Sequence, residues 1–302
     1  MAPSERTPSD SADRVLAGRF APSPTGPLHM GSLITAVASY CDIKQRGGNW
    51  HVRLDDIDPL RHDLNASTQI IESLNTHGLA GDGPVKQQSH RIARYKAARN
   101  LLSGTAYYCD CSRSKLKATP IYPGYCRSKG AHQADHALRL HVDDQSRTFH
   151  DGIKGSLDFN AQQRFGDFVI WRRDNLVTYH LATAVDDGEH YSHVLRGEDL
   201  YEQTLPQLYL IEQLNLKEPA YAHIPILTYP DGTKLSKQTH APPLDNSMAS
   251  RNLRTAFDFL GQKPPNTTLS SKDWLEWGVK HWQLAAIPTI LKPFHPYHDS
   301  DT

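Results

Sequence analysis

Three cysteines stand close together in this chain: Cys109-Asp110-Cys111, then Cys126 fifteen residues further on. Thiolates at that spacing, parted by a loop, suit a tetrahedral zinc ion and leave one position to fill. Tyr122 stands four residues before Cys126, and His132 and His136 follow it. On ligand chemistry alone His132 is the stronger candidate, because neutral imidazole is a far commoner zinc ligand than phenolate. Three reduced, metal-free thiols are the bland alternative. Four cysteines in 302 residues do not make a disulfide framework, so the cluster points to metal in a reducing compartment. Cys41, among apolar residues at helical spacing, is assigned to the core.

A second set of residues suits phosphate. Leu28-His29-Met30-Gly31-Ser32 lies where a loop meets a helix, and the free N–H groups of a helix start favour an anion. His29 adds a donor that can strengthen as a phosphate becomes pentacovalent, and Gly31 allows a ring or ribose close to the backbone. No Lys-Ser/Thr follows, so this is not a P-loop, and the glycine spacing is wrong for a dinucleotide fingerprint. About 200 residues later, Lys234-Leu235-Ser236-Lys237-Gln238 follows the turn Pro230-Asp231-Gly232. Two lysines three apart on a loop can clamp a polyphosphate as flexible point charges. Either segment alone has an ordinary structural explanation. Together they imply a nucleotide bridging two α/β halves at a switch point.

The elements that must hold these residues alternate. Arg19–Pro27 reads as a strand running into a loop. Leu33, Ile34, Val37, Ala38 and Cys41 recur at helical spacing up to Gly47-Gly48, and Trp50–Leu54 resumes extended character. Helices are expected around Ile70–Leu74 and from Ser89 to Leu102, and the alternation predicts a parallel α/β sheet. Residues 106–155 break it, with one strand candidate at Ala137–Val142. Phe168–Trp171 and Leu176–His180 suggest a hairpin. A second α/β half is expected from Val185, with strand His193–Arg196, a helix through Leu205–Leu214 and strand Ile224–Thr228. Asp245–Ile290 reads as helical, with Trp274, Trp277 and Trp282 packing a helix onto the core rather than stacking on bases. The domain boundaries expected are a disordered tail over 1–17, Rossmann halves at 18–105 and 185–244, an insertion at 106–184, and a helical region with a loose end at 245–302.

Composition sets limits on this. At roughly 150 residues per domain the length suggests two domains. Lys plus Arg number 33 and Asp plus Glu number 33, a formal charge of zero. Extensive coating of a polyanion is thereby excluded, though not a short basic groove. No apolar run approaches the ~18 residues of a membrane span, and Met1–Gly18 lacks the apolar core of a signal peptide. A cytoplasmic monomer without membrane contact is the expectation.

Arg19-Phe20-Ala21-Pro22-Ser23-Pro24-Thr25-Gly26, leading into His29-Met30-Gly31-Ser32, resembles the opening of glutamyl-tRNA synthetases. Their HIGH motif stands here as HMGS and their KMSKS motif as KLSKQ. Arg53–Asp58, Val185-Asp186-Asp187 and Arg196-Gly197-Glu198-Asp199 are similar to three further elements of that family, so the likeness runs from about Arg19 to Leu244. It implies a class I aminoacyl-tRNA synthetase Rossmann fold that joins glutamate to the ATP α-phosphate with Mg²⁺. His29 and Lys237 would be catalytic, and Gly31, Ser32, Lys234 and Ser236 would join them in binding ATP. Arg19, Ala21, Ser23, Asp55, Tyr179 and Arg196 would line the glutamate pocket, two guanidinium groups matching two carboxylates. Asp55 stands where the family has Glu, a methylene shorter by roughly 1.2–1.5 Å. Its expected role is the substrate ammonium, with Asp56 or Asp58 as rivals.

Only 65 residues follow Lys237, too few for a separate anticodon-reading module. The chain therefore most resembles the truncated branch of the family, in which Gln238 and His240-Ala241-Pro242 also have counterparts. That branch carries C-x-C…Y-x3-C, which fits Cys109, Cys111, Tyr122 and Cys126 and favours Tyr122 as fourth zinc ligand, with His132 the rival. It further implies that activated glutamate passes to queuosine in the anticodon of tRNA(Asp), not to a 3′ end. The alternatives are 3′-end charging or a noncatalytic RNA-binding relative.

Overall fold

The computed structural model describes residues 15–117, 119–130, 136–228 and 241–289. In chain order these hold β1 (Ala17–Phe20), α1 (Met30–Gln45), β2 (Asn49–Leu54), α2 (Leu64–Thr76), β3 (Lys86–Gln87), α3 (Ile92–Leu101), β4 (Ala106–Cys109) and α4 (Arg113–Leu116). Then come β5 (Ala137–Leu140), β6 (Ser146–Asp151), β7 (Gly155–Asn160), α5 (Ala161–Arg164), β8 (Phe168–Trp171), α6 (Tyr179–His190) and β9 (His193–Gly197). The series ends with α7 (Tyr201–Gln213), β10 (Ala220–Ile224), α8 (Ala249–Phe259) and α9 (Ser271–His281).

β1, β2 and β3 are parallel neighbours, and β9, β10 and β6 are a second parallel set, with β7 antiparallel at its edge. The two sets meet where the Ser192 N–H donates to the Ala17 carbonyl at 2.9 Å, start of β1 beside start of β9. Chain order reverses at that seam, which opens a crevice beyond the carboxyl ends of the strands. β4, β5 and β8 form a separate antiparallel sheet between the two halves.

Helix α1 carries the weight of the first half. Its residues are buried on nearly every side, Leu33, Ile34, Val37 and Cys41 included, because the sheet covers one face while α8 and α9 cover another. Its two buried polar side chains are satisfied from those neighbours: Ser39 Oγ accepts from the Trp50 indole at 3.0 Å and Asp42 from the Trp282 indole at 3.2 Å. The helix stops at Gly47, whose φ of 74° suits glycine; the N–H groups of Gly47 and Gly48 then close on the carbonyls of Lys44 and Ile43. Trp274 and Trp282 are buried in the same core, as their spacing suggests.

Several sequence expectations shift. Leu176–His180 is not a strand: Val177 makes one isolated bridge to Trp171, and Thr178 caps α6 by accepting from the Leu181 N–H. The cap outweighs the extended propensity, and α6 begins well before Val185. The strand expected at Ile224–Thr228 ends where Pro225 removes a donor; it is β10, four residues earlier. The hairpin β6–β7 gave too weak an alternation to be read, yet β6 joins the parallel sheet beside β10. Of the tail expected over 1–17, residues 1–14 lie outside the described residues, while the Leu16 carbonyl already accepts from the Asn49 N–H at 2.8 Å and Ala17 opens β1.

Candidate active site

The loop after β1 is positioned by its prolines and by two backbone bonds. The Pro22 carbonyl accepts from the Asp55 N–H at 3.0 Å, and the Pro24 carbonyl from the Asp63 N–H at 2.9 Å. Fixed φ at Pro22, Pro24 and Pro27 leaves such a loop little freedom. Ala21 and Ser23 are thus held against the end of β2, and His29 is delivered to the start of α1.

His29 is the N-cap of α1, and its Nδ1 accepts from the Ser32 N–H at 3.3 Å. In a neutral ring this leaves the proton on Nε2, so the imidazole can donate away from the helix. Gly31 makes room for that ring: a Cβ there would lie 3.2 Å from His29 Cε1 and Nδ1. The group for which the glycine clears space is the protein's own histidine.

His29, Gly31 and Ser32 share a cleft of about 320 Å³ with Arg19, Ala21, Ser23, Asp55, Tyr179 and Arg196. These residues come from the ends of β1, β2 and β9 and the starts of α1 and α6, around the seam between the sheet halves. All nine were predicted site residues. Lys234, Ser236 and Lys237, with Gln238, lie outside the described residues.

Charge in the cleft is arranged as a buried chain that the sequence did not disclose. Arg19 donates to both carboxylate oxygens of Asp187, from Nη2 at 2.7 Å and Nε at 3.2 Å. Arg53 Nη1 donates to the same Asp187 at 2.8 Å, and its Nε and Nη2 donate to Asp55 at 2.7 and 3.2 Å. Burial alone would raise the Asp187 carboxyl, yet Arg19 and Arg53 hold it well below the usual carboxylate range. Burial pushes the Asp55 carboxyl up, against the pull of Arg53. Asp186, next in the chain, faces the other way and accepts from Gln88, Arg91 and Tyr95 at 2.7–2.9 Å, so the two acids tie α6 to both β2 and the start of α3. The three acids after β2 separate. Asp55 lines the cleft, Asp56 is occupied by the N–H and hydroxyl of Ser89 at 2.8 and 2.7 Å, and Asp58 pairs with Arg172 at 2.9 Å.

Arg196 differs from Arg19 and Arg53. Its Nη2 donates to Thr204 and Gln207 at 2.7 Å each and its Nε to His223 at 3.2 Å, while Nη1 has no partner among the described residues. A second cavity of about 690 Å³ adjoins the first and shares Ser23, Asp55 and Tyr179 with it.

Cys109, at the end of β4, Cys111 and Cys126 place their sulfurs within 4.8 Å of one another. The Cys111 and Cys126 sulfurs are 3.6 Å apart, close to the ~3.8 Å that two thiolates on one tetrahedral zinc would show. The Tyr122 hydroxyl lies 3.4 Å from Cys109 Sγ and 3.7 Å from Cys111 Sγ, and it accepts the Cys126 N–H at 3.0 Å. Burial would raise the Cys109 thiol, but Tyr122 and Arg139 bring it down to about 7. Burial and the thiols push the Tyr122 phenol up, so it would act as a ligand only where a dication lowers it again. The Asp110 carboxylate, 3.1 Å from Cys126 Sγ, is a neighbour the sequence did not single out. His132 lies outside the described residues.

The profile of "tRNA synthetases class I (E and Q), catalytic domain" matches residues 15–120 and 121–252. A glutamyl-Q tRNA(Asp) synthetase of Pseudomonas aeruginosa is 44% identical over 277 residues, 90% of this chain and 94% of that one. Its counterpart in Methylococcus capsulatus is 44% identical over 279 residues, 90% and 92% of the two chains. The chain belongs to the glutamyl-Q tRNA(Asp) synthetase family of class I tRNA synthetases. As a member of that family it is a ligase. Its fold matches the glutamate-tRNA synthetase of Elizabethkingia anophelis with a TM-score of 0.79 at 23% identity, covering 93% of this chain and 68% of that one. No helix among the described residues is long and apolar enough to cross a membrane.

Proposed function

We propose that the protein activates L-glutamate with ATP to glutamyl-adenylate without tRNA, and then transfers the glutamyl group to queuosine of tRNA(Asp). The observation that carries the reading is the cleft at the sheet seam. One wall offers arginines and Asp55 for an amino acid with two carboxylates and an ammonium; the other offers His29 at a helix start for phosphate. Glutamate and ATP held there would place a carboxylate oxygen against the α-phosphate. His29 Nε2–H would stabilise charge on the phosphate, and Lys237 would take the leaving pyrophosphate. Mg²⁺, bound with ATP, would neutralise phosphate charge. Asp55, held by Arg53 and the one of the three acids after β2 that lines this cleft, is the acid for the ammonium. An acceptor nucleoside would approach the acyl group from the adjoining cavity, which shares Ser23, Asp55 and Tyr179 with the cleft.

The identity of the acceptor, queuosine of tRNA(Asp), is supported by the names of the relatives. Cys109, Cys111, Tyr122 and Cys126 are proposed as a structural zinc site, since a closed set of four ligands leaves no vacancy for water. The test is ATP–pyrophosphate exchange with glutamate and no tRNA, followed by transfer to tRNA(Asp) with and without queuosine. Exchange with queuosine-dependent transfer is expected. Absence of exchange would point to a binding protein. Transfer that ignores queuosine and is abolished by periodate treatment of a queuosine-free tRNA would point to 3′ charging.

A further inference from the structure

Arg196 is one of three buried arginines at the cleft, and the only one of them in contact with no carboxylate among the described residues. Arg19 and Arg53 are neutralised by Asp187 and Asp55. Behind Arg196 an acid, Asp151, is reached through an imidazole. His223 on β10 stands directly across from Arg196 on β9, and Asp151 ends the next strand, β6.

The hydrogens in this row are fixed by their partners. Asp151 Oδ1 accepts the N–H groups of Ile153 and Lys154 at 3.0 and 2.9 Å, and Oδ2 lies 2.6 Å from His223 Nδ1. A carboxylate so placed can only accept, so Nδ1 carries the hydrogen. Nε2 is then a lone pair, and it faces both the Thr204 hydroxyl at 2.9 Å and the Arg196 Nε–H at 3.2 Å. Burial keeps the ring below the usual histidine range despite the opposing pull of Asp151. Tyr221 lies parallel to His223 on one side, at an interplanar angle of 8°, and the Arg196 guanidinium rests over the Tyr221 ring at 5.3 Å. Nε and Nη2 are both engaged, which fixes the guanidinium, while Nη1 is buried without a partner among the described residues in an arginine that lines the cleft.

We propose that Asp151 and His223 are positioning residues for amino-acid recognition: Asp151 selects the imidazole tautomer, and His223 holds Arg196 so that Nη1 meets a substrate carboxylate. Routing the counter-charge through a neutral ring leaves the arginine's charge available for that carboxylate, where a direct acid would cancel it. This rests on the reading that glutamate is bound and activated in this cleft.

The experiment is ATP–pyrophosphate exchange by the full chain, with the KM values for glutamate and ATP determined separately for wild type, His223→Leu, His223→Gln and Asp151→Asn. His223→Leu should raise the glutamate KM by about tenfold or more, the scale of a lost hydrogen bond to a charged group, with the ATP KM within about twofold. His223→Gln carries an acceptor to the Nε2 position and should recover most of that loss. Asp151→Asn should fall between, because an amide can present either donor or acceptor. A wild type without exchange would defeat the glutamate reading itself. An active wild type with an unchanged glutamate KM in His223→Leu, or with the KM values for glutamate and ATP rising together, would overturn the positioning role alone. Should the leucine variant fail to fold, the glutamine and asparagine variants decide: no selective change in the glutamate KM of Asp151→Asn, or a His223→Gln worse than Asp151→Asn, counts against it.

Discussion

Replacing Asp187 by Asn keeps the shape of the side chain and removes one buried negative charge. In the folded protein that carboxylate accepts from Arg19 at 2.7 and 3.2 Å and from Arg53 at 2.8 Å, with its own side chain fully buried. The amide has one oxygen to offer, and its NH₂ would face a guanidinium. Removing one partner of a buried ion pair strands the other, at a cost of about 3–5 kcal/mol. With an m-value of about 3 kcal/mol/M, the midpoint of urea unfolding should fall by about 1 M or more at pH 7. The exposed pair of Arg172 and Asp174, whose side chains are 34% and 49% exposed, provides the contrast: Asp174→Asn should cost under about 1 kcal/mol. Because Arg19 and Arg53 depress the Asp187 carboxyl, its contribution is complete above the ordinary aspartate value of about 3.9 and is lost only as pH falls toward the lower folded value. The gap between wild type and Asp187→Asn should therefore stay constant from pH 7 to pH 5 and narrow below about pH 4. Tryptophan fluorescence, with Trp50 and Trp274 fully buried, reports the transition. A midpoint shift no larger than that of Asp174→Asn would refute the claim that Asp187 carries the charge balance of the cleft.

Other substitutions probe separate parts of the molecule. Gly278→Ala would place a Cβ 2.3 Å from Phe257 Cζ and 3.0 Å from Cys41 Sγ. Overpacking of about 1–3 kcal/mol should exceed the helix-propensity gain of about 1 kcal/mol, giving a lower Tm by calorimetry. Metal analysis should find about one zinc per chain. Tyr122→Phe should lose it to a chelator sooner than wild type while His132→Ala does not, and zinc lost only in the histidine variant would reverse the ligand assignment. Asp55→Glu should preserve or lower the KM for glutamate in the exchange assay. A collapse of activity would move the ammonium role elsewhere.

The legible parts of this protein were those whose residues act through local chemistry. His29 at a loop–helix junction, the helical spacing from Leu33 to Cys41 and the sulfur spacing of Cys109, Cys111 and Cys126 can all be read from neighbours in sequence. Pairings between residues far apart could not. Arg53 and Asp187 are 134 positions apart, and Arg196, His223 and Asp151 come from three neighbouring strands, one of which, β6, belongs to a hairpin that alternates too weakly to announce itself. The Val185-Asp186-Asp187 segment was visible as a motif, but two adjacent acids on a helix point about 100° apart, and only the fold reveals that they serve different elements.

Those long-range pairings also explain how so polar a cleft can sit in a stable seam. Arg19, Arg53 and Arg196 contribute three buried positive charges, and Asp55, Asp186 and Asp187 three buried negative ones. Buried ions are tolerable only when paired and hydrogen-bonded; Arg53 and Asp55 pair locally at the end of β2, and the other bonds cross structural boundaries. Asp187 on α6 links β1 to β2, Asp186 links α6 to the segment before α3, and Asp151 reaches β9 through β10. The same bonds that make the ions tolerable therefore fasten the two sheet halves and the insertion to one another. A consequence is that charge changes in the cleft cannot be silent in stability: variants of Asp187 should lose folding free energy and substrate affinity together, whereas His223 variants, which move no net charge, should lose affinity with far less effect on the unfolding midpoint.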